Sequence, residues 1–307
     1  MRTGRREGGG RITKPASVVL LASVVIATTT MFMSSVPLRA DPAALAASGG
    51  ASSAPVVGIA GTPDGGGYWL TDTLGDVINI GDAGFLGSMF NQPLNSPIIH
   101  IVAAPELAKS ANQGYWLVSA DGGVFSFGDA HFYGSMGGQH LNAPIVGLAP
   151  TGDGRGYWLV AADGGVFAFG DAVFRGSMAG VHLNKPIVGI GPDDGTGGYW
   201  EVASDGGVFA IGAPYLGSAS GLSLTLPVNG MVVTGDSFGY WLVAFDGGVF
   251  TFGDATFRGS LAGQPLNPPV VGMAAHLATG YWLVRSDGTV FSFDPCPPMT
   301  LCATGAG

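Results

Sequence analysis

The tripeptide Gly-Tyr-Trp occurs six times in this chain of 307 residues, and all six tryptophans of the protein lie in these copies. The steps between successive copies are 47, 42, 42, 41 and 41 residues. The six tryptophans are Trp69, Trp116, Trp158, Trp200, Trp241 and Trp282. A fixed period near 42 residues indicates repeated supersecondary units that must stack on one another to bury a core. The sequence therefore predicts a repeat architecture.

The clearest repeat runs from Pro144 to Gly180 and contains four short apolar segments. Aromatic and β-branched residues dominate these segments, which are separated by Gly, Asp and Pro, a pattern typical of β-strands. No stretch after residue 50 shows sustained helical spacing. The four predicted strands are Ile145 to Leu148, Tyr157 to Ala161, Val166 to Phe169 and, more weakly, Val173 to Ser177.

An Asp-Gly pair separates the second and third segments in five of the six repeats. Between two apolar strands this pair predicts a hairpin with a type I′ turn, because Asp tolerates and Gly readily adopts positive φ. The first repeat has Leu74-Gly75-Asp76 instead, so we expect a different turn there. The five pairs begin at Asp121, Asp163, Asp205, Asp246 and Asp287.

Four strands in about 42 residues, repeated six times, predict an all-β, six-bladed β-propeller with one four-stranded sheet per blade. Tandem β-trefoil-like units and an open β array are the alternatives. The segment at residues 55–60 has no Gly-Tyr-Trp before it, whereas the last repeat degenerates after Phe293. We expect residues 55–60 to complete the last blade and close the ring, because closure removes unpaired strand edges.

The N-terminus suggests export. Five basic residues precede an uncharged apolar stretch at residues 16–36, as in a secretory signal, and Ala44-Leu45-Ala46 resembles a cleavage site, with Ala40 as the alternative site. The stretch is also long enough to span a bilayer as an uncleaved anchor. We therefore predict a signal peptide or membrane anchor at 1–46, and a secreted or anchored extracytoplasmic protein. A flexible linker at 47–54, a propeller at 55–294 and a tail at 295–307 complete the predicted domains.

Charge restricts the partners of the mature part. From residue 47 onward six Lys and Arg stand against nineteen Asp and Glu, a net charge of −13. Such a surface repels nucleic acid and lacks a basic face for membranes. We expect a monomer whose partner is a protein, peptide or glycan of the cell envelope.

The two cysteines, Cys296 and Cys302, lie six positions apart in the predicted tail. In an oxidising compartment they predict a small disulfide loop that holds the C-terminus. A redox pair is the less favoured alternative, because the Cys-x-x-Cys spacing is absent.

The sequence predicts no catalytic, cofactor-binding or metal-binding residue. Of the five histidines, just His140 and His182 share a repeat position, and we expect all five to be exposed in loops. Four aspartates recur in Gly-Asp-Ala at strand ends, where turn hydrogen bonds to backbone N–H groups are favoured over calcium binding. These aspartates are Asp82, Asp129, Asp171 and Asp254.

Two repeated features are candidates for ligand contact. Adjacent Tyr and Trp in a strand must point to opposite faces of the sheet, so both pack between blades or one reaches a rim or channel. A Leu-Asn pair precedes several Pro-initiated strands and predicts a loop with an Asn turn. The asparagines of these candidate ligand loops are Asn95, Asn142, Asn184 and Asn267.

The segment at residues 156–172, GYWLVAADGGVFAFGDA, resembles a repeat found in exported actinobacterial proteins. The resemblance covers most of residues 55–293. It implies a β-propeller-like module at the cell envelope whose biochemical role is largely undefined, and it implies no catalytic residues. The fourth repeat departs from the pattern at Ile211 to Pro214 and at Leu224 to Pro227, so its blade is expected to differ in geometry.

Three functions remain open from the sequence. The leading hypothesis is a secreted or envelope-tethered interaction module that binds a protein, peptide or glycan through a ring of loops. The second is a secreted hydrolase or lyase with its site at the channel mouth. The third is a purely structural envelope protein. An enzyme requires a non-repeated acid, base or metal cluster near the axis, whereas a binding module requires only repeated surfaces.

Overall fold

The computed structural model describes residues 54–105, 113–276 and 280–294. The predicted signal or anchor, nearly all of the linker, and the tail with Cys296 and Cys302 lie outside the described residues. Among the described residues, no helix is long and apolar enough to cross a membrane.

The described residues form eighteen strands, arranged as six antiparallel sheets of three consecutive strands each. The first sheet contains β1 (Val56–Gly61), β2 (Gly67–Asp72) and β3 (Val77–Gly81). The second contains β4 (Ile98–Ala103), β5 (Gly114–Ser119) and β6 (Val124–Gly128), and the third contains β7 (Ile145–Pro150), β8 (Gly156–Ala161) and β9 (Val166–Gly170). The fourth contains β10 (Ile187–Asp193), β11 (Gly198–Ala203) and β12 (Val208–Ile211). The fifth contains β13 (Val228–Val233), β14 (Gly239–Ala244) and β15 (Val249–Gly253), and the sixth contains β16 (Val270–His276), β17 (Gly280–Arg285) and β18 (Val290–Phe293).

The middle strand of each sheet carries the Gly-Tyr-Trp motif and is almost entirely buried. Its continuous apolar sequence follows from this position, because both of its faces pack against neighbouring sheets and both of its edges are paired. The first strand of every sheet has a β-bulge at its second residue, between Ile145 and Gly147 in the third sheet. The bulge increases the local twist of the first strands, which lie side by side around a central space.

Each sheet packs against the next one through the two aromatic residues of the motif. The tryptophan of one sheet contacts the tyrosine of the following sheet, as Trp158 contacts Tyr199 with ring centroids 5.3 Å apart. The Tyr199 hydroxyl donates a hydrogen bond to the Gly176 carbonyl at 2.5 Å. Tyr and Trp therefore point to opposite faces, as predicted, and both are buried between sheets.

The predicted fourth strand, Val173 to Ser177, does not form. Two side chains use the backbone of this segment: the Trp158 indole donates to the Val173 carbonyl at 3.0 Å, and the Tyr199 hydroxyl donates to the Gly176 carbonyl. Gly176 has a φ of +134°, which is incompatible with a regular strand. The segment therefore connects neighbouring sheets instead of extending one.

The predicted closed six-bladed propeller with four strands per blade is consequently wrong. Residues 55–60 do not complete the last sheet either, because β1 pairs with β2 and the first strand of the sixth sheet is β16. Each Pro-initiated strand pairs with the Gly-Tyr-Trp strand that follows it in sequence. The first sheet still packs beside the sixth, with the Val56 N–H donating to the Ser286 carbonyl at 2.9 Å. The trefoil alternative does not fit three-stranded sheets.

The hairpin turns lie where the sequence predicts them but are of a different type. In the third sheet Gly164 has a φ of +80° and its N–H bonds to the Ala161 carbonyl at 2.9 Å. A type I′ turn needs two residues with positive φ, yet Asn91 and Ser237 are the only such non-glycine residues in the described part of the chain. The turns are therefore type I-like and end in a left-handed glycine. The first hairpin uses the same turn, with Gly75 at +76°, so the different turn predicted there is wrong.

Candidate functional site

Two cavities lie on the central axis, lined by the first strands of the sheets. One, of about 350 Å³, is lined by residues of all six first strands near their carboxyl ends. A smaller one, of about 80 Å³, lies nearer their middles. The described residues that line both cavities are mostly aliphatic or glycine and include no carboxylate. The predicted channel-mouth hydrolase site therefore has no candidate acid among these residues.

Two polar side chains in the lining of these cavities depart from the repeat pattern. His100 occupies a position that is glycine in the other five repeats, and Asn229 occupies one that is Val or Ile. The Nδ1 atom of His100 accepts the Ile101 N–H at 3.1 Å, and burial lowers the pKa of its imidazole to about 4. The Asn229 amide donates to the Val270 carbonyl at 2.8 Å, whereas its Oδ1 atom is buried without a hydrogen-bond partner.

A second kind of site lies on the outer flank of the sheets. We call one of these sites the third cleft, because it adjoins the third sheet. It has a volume of about 260 Å³ and lies between the Leu-Asn loop before that sheet and the segment after the sheet. Its lining includes Asn142, Asp163 and Phe174, which contribute an amide, a carboxylate and an aromatic ring. Phe174 is 55% exposed, so its ring is accessible to a ligand.

The fourth cleft, of about 250 Å³, is the equivalent space beside the fourth sheet. Asn184, Asp205 and Tyr215 stand at the positions of the three residues described for the third cleft. The predicted ligand-loop residues Asn142 and Asn184 thus each lie in a cleft. His140 and His182 also line the third and fourth clefts, and both are exposed as predicted.

The other two predicted loop asparagines, Asn95 and Asn267, are also exposed. Asn95 shares its repeat with Asp121 and with Phe132, which is 58% exposed. The loop of Asn267 is held by Arg285, whose guanidinium donates to the Asn267 carbonyl and, at 2.9 Å, to the Pro268 carbonyl. In the loop before the fifth sheet Thr225 replaces the asparagine.

An exposed aromatic recurs at one repeat position in the first five repeats. A large apolar side chain facing solvent at the same place in successive repeats favours a contact surface, because scattered single residues show no such register. This recurrence was not noted from the sequence, although it is visible there as an aromatic two residues after Gly-Asp-Ala or its equivalent. The five residues are Phe85, Phe132, Phe174, Tyr215 and Phe257.

The aspartates have two structural roles. The Asp-Gly carboxylates accept a backbone N–H two residues on, as Asp163 does from Gly165 at 3.0 Å. Three of the four Gly-Asp-Ala carboxylates, those of Asp82, Asp171 and Asp254, accept the hydroxyl of a threonine that follows the first strand of their own sheet, as Asp171 does from Thr151 at 3.1 Å. The backbone N–H bonds predicted for the second group are therefore made by the first. No group of three or more metal-ligating side chains occurs in the described ranges.

Two histidines depart from the prediction of exposed loop positions. His100 lies in β4, as described above. His276 lies at the end of β16, where its ring stacks on Trp282 at 4.0 Å and contacts the Asp294 carboxylate. Its Nε2 atom also lies 3.1 Å from the Gly65 carbonyl of the first sheet. His276 therefore links the sixth sheet to the first.

Sequence reasoning missed Glu201, which replaces the leucine of Gly-Tyr-Trp-Leu in the fourth repeat. Its side chain is fully buried, and neither carboxylate oxygen has a partner in good hydrogen-bond geometry. Burial and, to a smaller extent, the nearby Asp163 carboxylate raise the pKa of Glu201 to about 8. Glu201 lies beside the Asp163-Gly164 turn of the third sheet, since a Cβ atom on Gly164 would be 3.1 Å from its Oε2 atom. The break in the repeat was the available signal.

The six motif tryptophans are structural. In five of them the indole N–H donates to a carbonyl 14 or 15 residues later, as in Trp158 to Val173. All six are buried, and the exposed fraction does not exceed 6% for any of them. They are therefore not available to stack on a ligand.

No protein-family model and no curated protein matches the chain. Among solved structures, a structural genomics protein of unknown function from Bacteroides thetaiotaomicron VPI-5482 is similar over 79% of this chain and 70% of its own. The two chains are 14% identical, with a TM-score of 0.48. Similarity at this level supports no inference about the present chain.

Proposed function

We propose that this protein is an extracytoplasmic binding module that recognises glycans through its outer clefts. The observation that carries the proposal is the recurrence, in register, of an exposed aromatic ring, an asparagine and an aspartate in the third and fourth clefts. The extracytoplasmic location rests on the basic and then apolar N-terminal sequence.

The three residue types suit a sugar. A pyranose ring has an apolar face of C–H groups and a rim of hydroxyls, so an accessible aromatic ring covers the face. An asparagine amide donates and accepts hydrogen bonds, and a carboxylate accepts them from hydroxyls. Ligand sites in general combine apolar walls with a few placed polar groups. In the third cleft Phe174 supplies the wall, and Asn142 and Asp163 supply the polar groups.

Repetition makes the module multivalent. Each cleft is small and open, so a single sugar is expected to bind weakly. The third and fourth clefts carry the same three residue types, and a polysaccharide that reaches both clefts binds with an effective concentration set by its own length. Weak sites on a rigid β scaffold are therefore sufficient for retention on a polymer.

The test is binding of the purified full chain to an array of neutral and acidic envelope-type oligosaccharides, followed by titration with the best oligosaccharide at two lengths. We expect saturable binding that strengthens with length. Replacing Asn142, Phe174, Asn184 and Tyr215 together by Ala should abolish it.

Phe238→Ala is the matched control, because Phe238 is 70% exposed in a turn that lines neither cleft. Its binding curve should match that of the unmodified chain. Two results would refute the proposal and favour a protein partner or a structural role. One is no binding to any oligosaccharide on the array, and the other is binding that survives the four combined substitutions.

A further inference from the structure

The third and fourth clefts are a natural matched pair. Each is lined by twelve residues at equivalent repeat positions, and nine of the twelve are identical. The three differences are Ala143 to Lys185, Phe174 to Tyr215 and Ala179 to Ser220. Every difference adds a polar group to the fourth cleft, and one of them adds a positive charge.

From this comparison, and resting on the proposed function, we propose that the fourth cleft selects an anionic sugar residue whereas the third takes a neutral one. The shared ligand chemistry is an oxyanion, a carboxylate or a phosphate, carried on a glycan. Lys185 is the specificity-determining residue.

Lys185 is accessible to a ligand. It is exposed, and in the described part of the chain it takes part in no ion pair. The one carboxylate lining the same cleft, Asp205, already accepts the Gly207 N–H at 3.0 Å through one oxygen. An ammonium group without a partner attracts an anion, and an ionised partner strengthens each hydrogen bond.

The hydroxyls complete the donor set. The Oγ atoms of Ser218 and Ser220 lie 2.7 Å apart, so together they offer a donor and an acceptor at one place. In the third cleft the residues at these two positions are Ser177 and Ala179, which leaves a single hydroxyl. Tyr215 adds a phenol at the rim. Sugar acids carry both an oxyanion and hydroxyls, which match this set.

The negative net charge of the chain predicts how salt should affect binding of an acidic glycan. The part of the chain from residue 47 onward has a net charge of −13, which repels polyanions at long range. Local attraction by Lys185 must overcome this repulsion, so binding of an acidic glycan should increase when moderate salt screens the long-range term.

The experiment compares polygalacturonate oligomers, their methyl esters and a sugar-phosphate oligomer, each titrated into the full chain carrying Phe174→Ala to silence the third cleft. We expect the two anionic oligomers to bind about five- to tenfold more tightly than the methyl esters. The carboxylate and phosphate arms show which source of the oxyanion is preferred. Lys185→Ala should remove the difference, and Lys185→Arg should keep it.

The reverse exchange tests whether a gain of the same preference can be produced in the third cleft, which loss of folding could not explain. Ala143→Lys with Ala179→Ser, in a chain carrying Tyr215→Ala, should give the third cleft a preference for the anionic oligomers. Equal loss of acidic and esterified binding in Lys185→Ala would overturn the specificity proposal while leaving glycan binding intact. No binding of any oligomer would overturn both proposals.

Discussion

The ring of Trp282 in the last sheet lies 5.2 Å from the ring of Tyr68 in the first. The same contact joins Trp69 to Tyr115 at 5.3 Å and recurs between every consecutive pair of sheets. Each Gly-Tyr-Trp copy therefore serves two interfaces, with its tyrosine against the preceding sheet and its tryptophan against the following one. Substitution of one aromatic should weaken one interface.

Removing one tyrosine hydroxyl tests that interface. The Tyr240 hydroxyl donates to the Gly217 carbonyl at 2.6 Å, and the ring is fully buried. Tyr240→Phe should lower the free energy of unfolding by about 1 kcal/mol, the usual net value of such a bond, as measured by urea denaturation. Tyr215→Phe is the control, because Tyr215 is exposed, and it should leave stability unchanged. Equal effects would contradict the assignment.

Alanine substitutions at two glycines with the same backbone conformation distinguish the cost of backbone strain from the cost of crowding the core. Gly164 and Gly180 have φ values of +80° and +77°. A Cβ on Gly164 would lie 2.5 Å from the Met178 Cβ, whereas one on Gly180 would meet nothing within 4 Å. Gly180→Ala should cost about 1 kcal/mol for the left-handed conformation alone. Gly164→Ala should cost about 1–3 kcal/mol more, because the core must also shift. Similar melting temperatures for the two variants would show that the turn relaxes freely.

Glu201 should make stability fall as the pH rises from 4.5 toward 8. Its folded pKa of about 8 is above its ordinary value of 4.5, so the folded protein binds the proton more tightly than the unfolded chain. The stability linked to this proton is fully present below pH 4.5 and is lost as pH rises toward 8. Urea denaturation of the unmodified chain and of Glu201→Leu across pH 5–9 should therefore diverge with rising pH.

Leucine is the appropriate replacement, because Leu70, Leu117, Leu159, Leu242 and Leu283 occupy the same position in the other sheets. Glu201→Gln removes the charge and keeps the shape, so it should flatten the profile equally. A pH dependence that is identical in all three proteins would show that Glu201 does not titrate in this range.

His100 should make stability fall in acid, which is opposite to the effect of Glu201. Burial lowers the pKa of its imidazole from 6.5 to about 4, so the unfolded chain binds the proton more tightly. The stability linked to the neutral ring is present above pH 6.5 and is lost as pH falls toward 4. The imidazole proton resonance that disappears in His100→Gln should therefore titrate near pH 4 in NMR spectra. A midpoint near 6.5 would place the ring in contact with water.

Local signals identified the first three strands of each repeat, because each is a short apolar run bounded by turn residues. The sites of the Asp-Gly turns were also evident, but the type I′ assignment failed because Asp163 keeps an ordinary φ and only Gly164 is left-handed. The Leu-Asn segments were recognised as loops. Their grouping with Phe174 and Tyr215 could not be predicted, since the cleft is formed by segments on either side of a whole sheet.

The sequence alone determined that this chain is a six-unit β repeat with Tyr and Trp on opposite faces of each middle strand, because periodicity and strand alternation are local properties. The tertiary structure decided the rest. Residues 173–177 have the composition of a weak strand, yet their carbonyls bond to the Trp158 indole and to the Tyr199 hydroxyl of the next sheet. The donors that use these carbonyls come from residues that only packing brings near, which is why local sequence could not reveal that the segment connects sheets.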